Sequence, residues 1–333
     1  TDFLYANNEA YLRNLLLETP GTVLRKSAAI QYPSIDALQK DIGKMQMDIN
    51  LVNSKIQVKD ILLFAPFLDS LPVLADPTST FIIDGNITGR IADMNINKFI
   101  LHGLNNTVVD VKGKISGLPD SKKISGNLSI ASISTTYKDI ELLVPKGSLP
   151  ANITIPSTLK LAGNVAGNMN DARVNLNLNT NLGFASVNGR ITNSTDSIKA
   201  KYNANIITRN LDLGVIMQND TMFGPLTANI TAQGTGYALK TASAQLDGTI
   251  NSAVLNRYNY KDVKLNGALA NQKGNVKLNI NDPNLTIGLD ANADLSEEFP
   301  AVKLNATIDS INTKPLNFTT DTLIYKGNII ADF

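Results

Sequence analysis

Apolar and polar positions alternate along most of this chain, most cleanly between residues 157 and 208. There the segments STLKLAGNVAG, ARVNLNLNT, FASVNGRIT and KAKYNANIIT place an apolar or small residue at every second position. Side chains on a β-strand alternate between its faces, so Val174, Leu176 and Leu178 share one face and Asn175, Asn177 and Asn179 the other. A 3.6-residue helical period would scatter both sets around the circumference. These segments therefore predict a sheet with one dry face and one wet face.

Taken from the start, the chain opens differently. In residues 8–18, NEAYLRNLLLE, Tyr11, Leu12, Leu15 and Leu16 fall at i, i+1, i+4 and i+5 before Pro20-Gly21, which predicts a helix packed on the end of a sheet. Residues 22–31 suit a strand or a loop, and Ser34 is placed to cap a second short helix over 34–44. From Met45 the period becomes two. MQMDINLV and SKIQVKDILLF alternate, a Leu-rich loop punctuated by Pro66, Pro72 and Pro77 follows, and turn residues then separate a long series of strands. These are expected near 80–89, 94–101, 107–116, 124–134, 137–143, 157–167, 172–180, 183–192, 198–208, 226–235, 240–250, 254–258, 260–270, 274–281, 285–295, 301–311 and 323–332. LDLGVIM at 211–217 has the spacing of a helical turn and marks a break between sheets or repeats.

Repetition accompanies the alternation. Ser79-Thr80 with Gly85-Asn86 and Gly89 matches Ser157-Thr158 with Gly163-Asn164 and Gly167 at an offset of 78, and VDVKGKISG from Val109 matches ASVNGRITN from Ala185 at 76. A weaker third copy begins at Gly224. The expected organisation is an N-terminal helical or irregular segment over 1–44, a first set of β repeats over 45–210 and a continuous second set over 211–333.

The dry face must be covered, because burying such rows is worth roughly 25 cal/mol per Å². A second sheet, a closed barrel or a groove holding an apolar ligand would each cover it. Gly85, Gly113, Gly126, Gly163, Gly189, Ala204 and Ala228 lie where a packed core would carry bulk, and small residues in strands mark bends or close approaches. A membrane barrel would need aromatic girdles, and the nine Tyr form no belt. The expected fold is mostly β: a long, curled antiparallel sheet forming a taco-like hydrophobic groove of repeated β units, with short helices near the N-terminus and near 211–217. Its candidate lining is Phe81, Ile83, Ile87, Val109, Val111, Ile115, Leu159, Leu161, Val165, Val174, Leu176, Leu178, Leu226, Ile230, Leu246, Ile250, Val276, Leu278, Ile280, Leu285, Ile287, Leu289, Val302, Leu304 and Ile308.

Composition narrows the function. A net charge of +1 over 333 residues, with no Lys/Arg cluster, argues against a nucleic-acid partner. Zero Cys removes disulfides and thiolate metal sites, and zero Trp removes the usual platform for sugars and bases. His102 is the only His and reads as a solvated residue near a strand end, so neither a catalytic triad nor a metal centre is expected, and no phosphate loop or cofactor site is recognisable. Asn-x-Ser/Thr triplets recur as a by-product of the alternation, and repeated Asn on one face could form side-chain ladders. The start at Thr1 without Met and a last strand that breaks off in mid-alternation suggest a piece of a larger protein.

The long alternating series, the Asn-rich face, the paired Gly-bearing repeats and above all LDLGVIMQNDTMFGPLTANITAQGTG resemble the AsmA-like superfamily, within it the TamB-type proteins of the Bacteroidota. The resemblance implies a protein anchored in the inner membrane by an N-terminal helix that is absent here. It further implies a β-groove spanning the periplasm, phospholipid or another acyl-chain lipid as cargo, and an outer-membrane barrel protein of the TamA kind as partner. The expected function is a non-enzymatic conduit without cofactors. A β-sandwich acting as a structural or adhesive binding module is the alternative, and a factor assembling outer-membrane proteins through an open sheet edge is a third reading.

Overall fold

The computed structural model describes residues 1–6, 8–34, 41–64, 72–143, 151–238, 240–296 and 300–332. Among the described residues nineteen strands pair antiparallel in an open sheet that does not close into a barrel. The chain divides into two compact units, Thr1–Ala151 with Pro156–Met169 and Asn152–Ile155 with Asn170–Phe333, so the predicted helix near 211 lies inside the second.

The first unit contains β1 (Asp2–Ala6), β2 (Glu9–Glu18), β3 (Val23–Gln31), β4 (Gln46–Gln57), helix α1 (Val58–Phe64), β5 (Thr80–Arg90), β6 (Asp93–Gly103), β7 (Thr107–Ser116), β8 (Ser125–Thr136), helix α2 (Tyr137–Leu143) and β9 (Thr158–Asn168). Each strand pairs with its chain neighbours. The second unit contains β10 (Asp171–Thr180), β11 (Gly183–Thr192), β12 (Lys201–Asp212), helix α3 (Leu213–Ile216), β13 (Phe223–Thr235), β14 (Ser243–Leu255), β15 (Tyr258–Ala270), β16 (Lys273–Asp282), β17 (Leu285–Asp294), β18 (Ala301–Asn312) and β19 (Ile324–Asp332), again paired in order. Among the described residues no helix is long and apolar enough to cross a membrane.

The repeat is visible in these boundaries. β5 and β9 start 78 residues apart, β7 and β11 start 76 apart, and α1 and α2 start 79 apart. Strands β4, β8 and β12 each run directly into a helix, so α1, α2 and α3 stand at the same end of the strands within their units. The opposite end carries the hairpin between β5 and β6 in the first unit and that between β15 and β16 in the second.

Two predicted elements are corrected. Residues 9–18 form strand β2, not a helix. Its ladder shifts register between Arg13 and Leu15, where Asn14 adopts φ 48°, and this bulge brings Leu12 and Leu15, three apart, onto one face. An i, i+3 apolar spacing thus belongs equally to a helix and to a bulged strand, and pairing with β1 and β3 decides for the strand. Residues 137–143 form helix α2, not a strand. The Thr136 hydroxyl accepts the Asp139 N–H at 3.4 Å and Tyr137 donates to Glu141 at 2.7 Å, one turn on. Strands predicted at 240–250, 254–258 and 260–270 are two, β14 and β15, joined by a turn at Asn256 and Arg257, both at positive φ. The predicted helix over 34–44 falls outside the described residues for 35–40, with Ile42–Lys44 forming a 3-10 turn, and residues 65–71 of the Pro-rich loop also lie outside them.

The glycines on the dry face are of two kinds, some required by the backbone and some with room for a side chain. Gly113 adopts φ +143°, and a Cβ there would sit 2.0 Å from the Asn127 carbonyl oxygen. At Gly267 the nearest atom would be an ordinary 3.7 Å away. Gly113→Ala is expected to lower stability by about 2–3 kcal/mol, and Gly267→Ala to stay within about 0.5 kcal/mol of the native chain. Urea unfolding midpoints check both, and equal midpoints for the two variants would contradict the strained reading of Gly113.

Candidate functional site

Residues paired across an antiparallel ladder share a face, so the registers reveal how far the dry face extends. In the second unit four rows of apolar and small residues cross the strands. From the hairpin end inward they are Ala172–Ile191–Tyr202–Gly234–Ala244–Leu269–Gly274–Ala293–Val302, Val174–Gly189–Ala204–Ala232–Leu246–Gly267–Val276–Ala291–Leu304–Ala331, Leu176–Val187–Ile206–Ile230–Gly248–Leu265–Leu278–Leu289–Ala306–Ile329 and Leu178–Ala185–Thr208–Ala228–Ile250–Val263–Ile280–Ile287–Ile308–Gly327. With about 4.8 Å between strands, a ten-strand row runs roughly 43 Å. Leu226, opposite Leu211 and Ala253, and Leu285, opposite Ile311, lie beyond the last row toward the helix end.

The first unit repeats the arrangement. Its rows include Phe3–Leu12–Ala28–Ile49–Ile87–Ile96–Gly113–Leu128–Val165, Leu15–Lys26–Leu51–Gly85–Phe99–Val111–Ile130–Gly163 and Ser54–Ile83–Leu101–Val109–Ile133–Leu161. Ile115 lies toward the hairpin end, opposite Met94 and Gly126, while Phe81, opposite Ile56, and Leu159, opposite Thr135, lie toward the helix end. Bulges keep these rows apolar where alternation in the sequence fails: Asn97 is looped out between Ile96 and Phe99, and Ile130 and Ile133 are aligned in the same way. Lys26 is the one charged residue in the rows named.

Burial separates the middle of the face from its helix end. Of the predicted lining residues only Phe81 and Leu285 are buried; the others are half-buried, and Val276 is 42% exposed. In a two-layer core such side chains would be enclosed. Most of the large buried apolar residues gather instead under two caps, with Leu15 and Ile96 buried outside them. In the first unit Val58 of α1 and Leu74 close over Phe81, joined by Ile61, Leu62, Val73, Ile83, Leu101 and Leu104. In the second, Leu316 closes over Tyr260, Val263 and Leu285, joined by Ile250, Tyr258, Leu278, Ile280, Ile287 and Ile311. Phe81, Ile83, Ile250, Leu278, Ile280, Leu285 and Ile287 are therefore capped at least in part, and the remaining lining residues are in neither cluster.

The opposite face is polar and self-satisfied. Asn205 Nδ2 donates to Asn229 Oδ1 at 2.6 Å and Asn97 Nδ2 to Asn86 Oδ1 at 2.6 Å, so amide ladders do form. Ion pairs stand at the hairpin end: Lys114–Asp93 at 2.9 Å, Arg190–Asp171 at 2.6 Å, Lys273–Asp294 at 3.1 Å and Lys303–Asp332 at 3.3 Å. Asp294 is held ionised, its pKa lowered to about 2 by the Ser296 hydroxyl, Lys273 and the Ser296 N–H. Each unit thus has an apolar cap at one end of its strands and a charged rim at the other.

Catalytic groups do not converge. His102 is exposed one residue from the end of β6, and among the described residues no three His, Cys, Asp or Glu side chains are grouped as metal ligands. The arrangement can dehydrate apolar chains. No protein-family model, curated protein or solved structure matches the chain.

The sequence reading left Val187, Ile206, Leu265, Phe99 and Leu101 out of the lining. Val187, Ile206 and Leu265 lie in strands that alternate visibly, so their own parity could have found them. Phe99 could not be found that way, because the bulge at Asn97 reverses the parity.

Proposed function

We propose that this chain is a non-enzymatic lipid-binding conduit. One observation carries the reading: rows of largely half-exposed apolar side chains run across the strands of each unit on one face, and beyond the two caps the described residues supply no second layer over them. A flexible acyl chain can cover such a surface by dehydrating it, since each buried methylene is worth about 0.8 kcal/mol. The scarcity of donors in the rows, limited to the hydroxyls of Ser54, Tyr202 and Thr208, and of charge, limited to Lys26, favours apolar contact over recognition of a defined group. Anionic headgroups would stay in water at the charged rim.

In keeping with the resemblance to AsmA-like proteins, the cargo we propose is phospholipid crossing the periplasm between inner and outer membranes. The parent protein would be anchored in the inner membrane, and an outer-membrane barrel protein of the TamA kind would be a partner.

An organic extract of the purified chain, analysed by mass spectrometry, is expected to contain phospholipid or fatty acid in at least about equimolar amount. A lipid-free extract from protein prepared without detergent would sink the conduit and favour a structural or adhesive binding module.

A further inference from the structure

The two caps are built differently. In the first unit the cap is helical and pinned: Val58 is fully buried and the Asp60 carboxylate on α1 accepts the Thr19 hydroxyl at 2.7 Å. In the second unit it is an irregular segment, Thr313–Leu323, between β18 and β19. This segment turns back from β18 to the turn joining β14 and β15, where Asn317 Nδ2 donates to the Asn256 carbonyl at 2.8 Å and Asn256 Nδ2 to the Asn317 carbonyl at 3.3 Å.

Apart from that reciprocal pair, Leu316 is the apolar side chain of the segment that enters the core cluster, and Thr313 at its root is buried as well. Leu316 is fully buried against Tyr260, Val263 and Leu285, while Lys314, Pro315, Asn317 and Phe318 around it are exposed. Its other hydrogen bonds are internal: Asn317 N–H to the Lys314 carbonyl, Phe318 N–H to the Thr313 carbonyl, Thr313 N–H to the Leu323 carbonyl, and Thr313 hydroxyl with Thr319 hydroxyl. Such a segment can swing as one piece about its roots without breaking its own bonds. At the first root the Asn312 Oδ1 is buried without a hydrogen-bond partner among the described residues.

We propose that Thr313–Leu323 is a displaceable strap, and that an acyl chain lying on the dry face takes the place of Leu316. Opening exposes Tyr260, Val263 and Leu285 and extends the dry rows of the second unit past Val263, Ile280 and Ile287 toward the helix end. The ligand part of the proposal rests on the acyl-lipid reading of that face; the motion of the strap does not.

The chain has no Cys, so Asn256→Cys with Asn317→Cys would form the single disulfide of the molecule and lock the strap. Three forms are titrated with the fluorescent C18 fatty acid cis-parinaric acid: the native chain, the oxidised double variant and the double variant reduced by dithiothreitol. Oxidation is expected to weaken binding about tenfold and reduction to restore it. Leu316→Ala should bind more tightly than the native chain. In native, lipid-free protein the Thr313 and Phe318 amides should exchange about 100-fold faster than those of Val263 and Ile280 in the ladder.

Equal binding by oxidised and reduced forms would overturn the displacement by acyl chains, and strap amides as slow as the ladder would overturn the motion itself. If cis-parinaric acid binds none of the three forms, the acyl reading of the face fails together with the ligand part. The exchange rates then decide the strap alone.

Discussion

Leu289→Asp is expected to lower the phospholipid that copurifies with the chain about tenfold, and Leu176→Asp to act alike, whereas Asn177→Asp leaves it unchanged. Leu289 stands between Leu278 and Ala306, and Leu176 beside Val187, in one central row of the second unit. Both are half-buried, so in the empty protein a carboxylate there keeps water and costs folding only about 1 kcal/mol. An acyl chain laid over it would strip that water, and losing 1.4 kcal/mol of binding is a factor of about ten. Asn177 points to the other face, where one more carboxylate joins hydrated Asn and Lys side chains. Lipid phosphorus per mole of folded protein is the measurement, and equal losses at Leu176 and Asn177 would falsify the assignment of faces.

Asp139→Ala is expected to destabilise the first unit by about 3 kcal/mol, a fall in Tm of roughly 6–12 °C. Asp139 sits on α2, fully buried, and its carboxylate accepts four hydrogen bonds from the turn between β6 and β7: Asn105 N–H at 3.2 Å, Asn105 Nδ2 at 2.8 Å, Asn106 N–H at 2.9 Å and the Thr107 hydroxyl at 2.8 Å. Removing the carboxylate leaves these donors without their acceptor. Burial pushes the carboxyl's pKa up, but the bonds from Asn106, Asn105 and Thr107 outweigh it and the net shift is downward. A depressed folded-state pKa means the contribution is complete above the unfolded value of about 3.9 and is lost as pH falls through the folded value. The gap between native and Asp139→Ala proteins should therefore be constant at neutral pH and close below about pH 4. Thermal unfolding across pH tests this, and a gap that persists in strong acid would refute the role of the ionised carboxylate. Asp60 stands 79 residues earlier on α1 and holds Thr19 of the turn between β2 and β3, so the clip recurs with the repeat.

Much of the architecture was legible before any coordinates. Period-two alternation suffices where strands are regular: β7 and β11 occur at the predicted 107–116 and 183–192, because nothing in them competes with the pleat. The short helix near 211 was readable too, since Asp212 caps it locally by accepting the Val215 N–H at 3.1 Å. The dry rows follow from the same parity wherever no bulge interrupts it.

What the tertiary structure alone decided are the positions where local pattern is degenerate. The spacing of Leu12 and Leu15 fits a helix or a bulged strand equally, and only pairing with β1 and β3 selects β2. YKDIELL could be read as a strand until the turn at Asn105–Thr107 supplied donors for Asp139. Leu316 lies outside every predicted strand, yet it is fully buried, because folding brings the segment after β18 back to β15 and no periodicity within Thr313–Leu323 encodes so distant a contact. Composition and alternation by themselves determined a sheet with one dry and one wet face; which parts of the dry face are capped and which stand open was decided by long-range contacts, whose partners are remote in sequence and leave no local trace.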